Sequence, residues 1–344
     1  MSSAWIGNGR EDWTCGASLR PQRCLNIQLE EGYLWPELEV NDSSRRTSQR
    51  REGTMNATWL IEEWRRQGRI LEVEGANTVL WRMGQGETVI CIHGVPTSSF
   101  LYRKLLPDLA SRSLEGVTLD LPGLGLADRP ADFDYSWSGF ATWYLKAIDA
   151  AGISNFHLVV HDIGGPIGFE VIRRVPDRIK SLTVLNTLVD VSQFQRPWVM
   201  EPFAWPVIGR FWLQSVRTPM FYILIKMVGT RNINRAEAEA YGRLLLGPDS
   251  GRAFLQIMRS FERTPIFEHG IKAALKARIF PAQIIWGKDD PALRIKQYAP
   301  HLLKALDLES YEVVDGKHFL QEDSSQAIAS LIAKLMRPSG LPLH

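Results

Sequence analysis

The residue with the clearest chemical promise is Asp162, in the run Val160-His161-Asp162-Ile163-Gly164-Gly165. The apolar run 156–160 reads as a short buried strand. Two glycines then open the apolar-periodic helix 166–175, which puts Asp162 on a sharp strand-to-helix turn. A carboxylate held there is ionised near neutral pH and can displace a leaving group at saturated carbon, forming an ester with the protein. Water must then cleave that ester, which calls for a general base and for donors to an oxyanion. The ordinary alternative for Asp162 is a helix N-cap, where Asp is favoured.

Other loops repeat the pattern of polar residues just past an apolar run. His93-Gly94-Val95-Pro96 follows 88–92, and Asp120-Leu121-Pro122-Gly123 follows 117–119. Gly287-Lys288-Asp289-Asp290-Pro291 follows Ile284-Ile285-Trp286, and Gly316-Lys317-His318-Phe319 lies just beyond Val313-Val314. In a parallel sheet the ligand site lies beyond the carboxyl ends of the strands, so Asp162, Asp290 and His318 can converge there. Asp289 reads as a solvated loop acid, and Asp190 is an alternative partner for the histidine. His93 and His161 read as structural hydrogen-bonders, and Asp120 as the residue that fixes its own turn.

Together the His-Gly-X-Pro loop, the Asp at the elbow, Gly-X-X-Asp-Pro and Gly-X-His-Phe resemble the α/β-hydrolase superfamily from about Met55 to the C-terminus. The resemblance is to its aspartate-nucleophile branch of haloalkane dehalogenases and epoxide hydrolases. The Pro-Thr-Ser-Ser run at 96–99 and His-Phe-Leu-Gln-Glu-Asp at 318–323 lean toward the dehalogenases. Ile163, by contrast, stands where those enzymes usually carry Trp, and Val95 where many carry Asn. The resemblance implies an α/β-hydrolase fold, a mostly parallel sheet flanked by helices with an inserted helical cap. It implies Asp162 as nucleophile, His318 as base and Asp290 as the acid that orients it, with the backbone N–H groups of Val95 and Ile163 as the oxyanion hole. The expected reaction is carbon–halogen cleavage to an alcohol and a halide. Epoxide hydrolysis is the alternative, and a ligand-binding protein of this fold with little turnover is a third.

The elements needed to position these residues alternate as the fold requires. Helix 59–67 leads to strands 70–74 and 78–82; helices 99–110 and 137–151 separate the next strands, and strand 181–185 follows the elbow helix. The alternation breaks over 188–270, rich in Trp, Phe, Leu and Met, and strand character resumes at 279–286. The core is therefore expected over 55–187 and 271–344, with a cap over 188–270 that buries an apolar substrate and excludes water. Since Ile163 brings no indole, a departing halide would need a cap donor such as Trp198, Trp205 or Trp212. An opening epoxide would need a proton from Tyr222 or Tyr241.

Composition bounds the rest. The chain has 344 residues, 45% hydrophobic and 23% charged, with a net charge of +2, which gives no reason to invoke nucleic acid. No metal-ligand spacing, phosphate loop or dinucleotide fingerprint is present, so neither metal nor cofactor is expected; the partners are a small apolar organic substrate and water. Three cysteines, Cys15, Cys24 and Cys91, cannot all pair, and no run is long enough for membrane insertion or patterned as a signal, which suggests a cytoplasmic protein. Residues 1–54 mix Ser, Arg, Asn and acids without periodicity and read as a flexible extension.

Overall fold

The computed structural model describes residues 56–337, so the extension expected over 1–54 and the start at Met55 lie outside the described residues. The strands are β1 (Arg69–Leu71), β2 (Thr78–Met83), β3 (Glu87–Ile92), β4 (Leu114–Leu119), β5 (Phe156–Asp162), β6 (Ile179–Thr187), β7 (Ala282–Gly287) and β8 (Glu312–Val314). They form one sheet in the order β1-β2-β4-β3-β5-β6-β7-β8. The two pairings that involve β2 are antiparallel, and every other pairing is parallel.

All seven residues of β5 are buried, as expected of a central strand covered by helices on both faces. Helices Trp137–Ala150 and Gly164–Arg174 pack together, and Pro265–Lys276 packs against the second of them. The expected cap boundary at 270 therefore falls inside a helix that sides with the sheet.

Two expected elements are cut short for identifiable reasons. Strand 70–74 ends at Leu71, because Val73 directs its N–H to Asn77 Oδ1 and its carbonyl to the Ala76 N–H, starting the turn early. The single helix expected over 99–110 is a 3-10 turn, Ser99–Tyr102, followed by the helix Leu105–Ala110. Pro107 has no N–H for the Arg103 carbonyl and fits only in a helix's first turn, so a new helix starts just before it.

Between β6 and β7 the chain forms short, irregular elements. A 3-10 turn, Glu201–Ala204, precedes the helix Ile208–Trp212; a second, Leu213–Arg217, precedes the helix Pro219–Leu224 and the π turn Ile225–Gly229. Longer helices follow at Arg235–Leu246 and Arg252–Arg259, the first closed by a capping box between Asn234 and Glu237. Among the described residues no helix is long and apolar enough to cross a membrane.

Candidate active site

Asp162 ends β5 with φ at +52°, in the left-handed region that a residue with a Cβ rarely occupies. The turn can be this tight because glycines surround it. A Cβ on Gly94 would come within 2.3 Å of Asp162 Oδ1, and one on Gly165 within 1.9 Å of Thr187 Oγ1. Thr187 in turn donates its hydroxyl to the Asp162 carbonyl. The carboxylate does not serve as a side-chain cap for the following helix; Oδ1 accepts the Val95 N–H at 2.8 Å.

His318 stands between two acids. Its Nε2 lies 3.4 Å from Asp162 Oδ2, and its Nδ1 lies 2.9 Å from Asp290 Oδ2. Asp290 Oδ1 accepts the N–H groups of Ala292 and Leu293 at 2.8 and 3.0 Å, which fixes the carboxylate plane from the other side. The histidine's backbone is held as firmly. His161 Nε2 donates to the His318 carbonyl at 2.8 Å, and the His318 N–H reaches the Val228 carbonyl. Asn186 Nδ2 donates to the carbonyls of Lys317 and His318 while its Oδ1 accepts the Gly287 N–H, so one amide ties the ends of β6 and β7 to the histidine loop.

Electrostatics follow from this packing. Burial would push the His318 imidazole down, but the adjoining charges of Asp290 and Asp162 outweigh it and hold the pKa at about 10. Burial would raise the Asp162 carboxyl, yet the hydrogen bond and charge of His318, with the Ile163 N–H, hold it below the usual carboxylate range. The resting pair is thus a carboxylate beside an imidazolium. His161, buried and next to that cation, is pushed down to about 3 and stays neutral.

The pair forms the floor of an apolar cavity whose walls come largely from the segment between β6 and β7, including Val199, Met200, Phe203, Phe221 and Leu224. The five side chains expected to meet a leaving group do not face it. Trp198 and Trp205 are 70% and 46% exposed, and Trp212 donates its indole N–H to the Val199 carbonyl at 3.0 Å. Tyr222 carries Lys226 over its ring on an outer face, and buried Tyr241 donates its hydroxyl to Glu322 inside an ion network with Arg103. Each apolar ring found an outward or interhelical position, and each buried donor found a carbonyl or carboxylate. Asp190, the alternative acid, pairs with Lys272 and His301, and Asp289 pairs with exposed Arg231.

The cavity wall instead holds Arg196 and Ser215, neither of which stood out among the aromatic residues around them. The Arg196 side chain is 5% exposed; it lies over the Phe261 ring and donates to the Met258 carbonyl and to Glu201. Its Nε is buried with no partner among the described residues, and burial and the charge of Arg263 lower its pKa against the pull of Glu201. His93 and Asp120 brace the loops: the His93 Nε2 accepts the Leu121 N–H, and Asp120 accepts the N–H groups of Ser99 and Leu126. Among the described residues no group of His, Cys, Asp and Glu is placed to hold a metal.

The sheet order, with an acid at the elbow after β5, is that of the α/β-hydrolase fold. Residues 87–221 match the family model described as alpha/beta hydrolase fold. A haloalkane dehalogenase from Psychrobacter cryohalolentis is 26% identical over 73% of this chain and 83% of its own length. A cis-3-alkyl-4-alkyloxetan-2-one decarboxylase from Shewanella oneidensis is 28% identical over 74% of this chain and 83% of its own. The crystal structure of the haloalkane dehalogenase DbeA from Bradyrhizobium elkani superposes with a TM-score of 0.63 at 22% identity, covering 78% of this chain and 98% of that one, a likeness of fold. The chain is similar to the α/β-hydrolases over residues 87–221 and to haloalkane dehalogenases over about three quarters of its length.

Proposed function

We propose that the protein cleaves the carbon–halogen bond of a small, largely apolar haloalkane through an ester on Asp162. The observation that carries this reading is an ionised carboxylate, held between the Val95 N–H and His318, on the floor of an apolar cavity. An Asp162 oxygen attacks the halogen-bearing carbon, and the halide leaves with the electrons of its bond. The Asp162 charge that helped to hold His318 protonated is thereby lost, and the imidazolium releases a proton to solvent. Neutral His318, oriented by Asp290, takes a proton from water as the water oxygen adds to the Asp162 carboxyl carbon.

The oxyanion that forms is received by the N–H groups of Val95 and Ile163. The first already binds Oδ1 in the resting state, so little reorganisation is needed. Collapse expels the alkoxide, which leaves as alcohol with the His318 proton, and the Asp162 acid proton returns the pair to its starting state. The helices between β6 and β7 act as the cap, and apart from His318 the side-chain donors lining the cavity are Arg196 and Ser215. The same reading places the enzyme in the cytoplasm, with Cys91 a buried free thiol of β3.

One observation favours a second reading. A guanidinium, not an indole, lines the cavity, which suits the carboxylate released when a strained cyclic ester opens, and the Shewanella oneidensis relative is named for an oxetan-2-one. Epoxide opening keeps Asp162 but loses its expected proton donors, since neither Tyr222 nor Tyr241 lines the cavity. The test is His318→Gln incubated with bromoalkanes, epoxides and oxetanones. One stoichiometric burst of product and a mass increase on the peptide carrying Asp162 are expected, the productive class naming the substrate. In one wild-type turnover in ¹⁸O-water the label should enter Asp162 and not the alcohol. Steady turnover by His318→Gln, or an adduct on another residue, would overturn the mechanism.

A further inference from the structure

The outer face of the cap exposes a concentration of large apolar side chains, which no step of the reaction requires. Fourteen large hydrophobic side chains are exposed among the described residues, and eight of them fall within 198–227; an even spread would leave about one or two there. Val207 and Phe211, one helical turn apart, are 67% and 74% exposed. Met220, Ile223 and Met227 follow at the spacing of a single helix face, all about half exposed. Trp198 joins the first cluster, because the Trp212 indole is bonded to the carbonyl of Val199. Arg259 binds the carbonyls of Ala204, Trp205 and Pro206, and so holds the Trp205 loop in place beside them.

The charge on this face is predominantly basic. Arg210, Arg217, Lys226 and Arg259 are exposed, whereas the acids in and beside it are paired: Glu201 with Arg196, Asp249 with Arg129 and Glu239 with Arg243. We propose that this face docks on the surface of an anionic lipid bilayer, with the apolar side chains entering the headgroup boundary and the basic ones meeting the lipid phosphates. Indole rings with a ring of arginine and lysine suit a surface that is apolar at one depth and anionic at the next. A second copy of this chain is disfavoured by symmetry, because an isologous contact sets a basic patch against its own equivalent. No spanning element is needed, in keeping with the absence of a long apolar helix among the described residues. The same segment lines the cavity on its inner side, so an apolar substrate dissolved in lipid would meet the cap directly.

The experiment is cosedimentation of the full chain with vesicles of phosphatidylcholine alone and of phosphatidylcholine with phosphatidylglycerol, across a salt series. Binding at least about tenfold tighter to the anionic vesicles, weakening with salt, is expected. Two variants test the two components: Trp198→Ser/Val207→Ser/Phe211→Ser and Arg210→Glu/Arg217→Glu/Lys226→Glu. Each should lose at least about tenfold in vesicle binding while keeping the wild-type thermal midpoint and turnover of a dissolved substrate, since none of these residues lines the cavity. Absence of vesicle binding, or equal binding by both variants and the wild type, would overturn the proposal. So would a dimer in sedimentation equilibrium that the same substitutions dissolve, which would give the face to a second copy. Because vesicle binding is read without turnover, its failure is separate from failure of the proposed reaction.

Discussion

At the strand ends, the carboxylate oxygens of Asp162 and Asp290 and both ring nitrogens of His318 lie beside backbone N–H groups or one another. In the cap segment above them a buried guanidinium nitrogen of Arg196 has no such partner among the described residues. The loops hang from a sheet whose register is set by continuous buried strands, which fixes side-chain positions closely enough for proton transfer. The cap is built from short helices, 3-10 turns and a π turn, and its packing is shared between the cavity and the outside. On the proposed mechanism, chemistry belongs to the sheet-borne loops, and selection of the substrate to the irregular segment.

The largest effect expected from this division is on Asp162. Asp162→Asn keeps the Oδ1 acceptor for the Val95 N–H but loses the nucleophile, so turnover should fall about 10⁴-fold or more with the fold retained. Halide release at more than about a hundredth of the wild-type rate would move the chemistry elsewhere.

Asp290→Asn comes next, with an expected loss of about 10³-fold in the ester-cleavage step, because the imidazole is left without its negative partner. The Asp290 charge raises the His318 pKa, so the pH profile for cleavage of the ester should move to lower pH in this variant. An unmoved profile would show that Asp290 is not the acid that tunes His318.

His161 offers a stability test. Its folded pKa of about 3 lies below the unfolded value near 6.5, so its contribution is present above pH 6.5 and is lost as pH falls toward 3. Between pH 7 and 5 the wild type should lose about 2 kcal/mol through this group, and His161→Gln, which keeps a donor for the His318 carbonyl, should not. Equal losses in denaturant titrations of the two proteins would show that another group carries the acid sensitivity.

Arg196→Met should act only on selection, shifting KM about tenfold between substrates with and without a distal acidic group and kcat by less than about threefold. A fall in kcat comparable to that of Asp290→Asn would place the guanidinium in the chemistry and erase the contrast between the regions. The smallest effect belongs to Trp212→Phe, which removes one hydrogen bond, worth about 1 kcal/mol, and should leave halide release within about threefold. A large loss of halide release would restore Trp212 as a leaving-group contact.

The sequence alone determined the acid at the elbow, the order of nucleophile, acid and histidine, and the alternation that builds the sheet. These are local facts: a strand ends, a glycine permits the turn, and the next residue is delivered to the same edge. It also marked 188–270 as an interruption rich in aromatic residues. It did not determine which of those residues face the cavity, because assigning a face needs a steady period, and the segment passes from 3-10 to α to π winding within a few residues at a time. A change from about 120° to 100° per residue turns a side chain from the wall to the solvent within a few positions. Only the tertiary structure turned Trp198 and Trp205 outward, paired Tyr241 with Glu322 and brought Arg196 to the wall. It alone set His161 against the carbonyl of His318, 157 residues away in sequence, because burial and hydrogen bonding between distant segments depend on how the layers close.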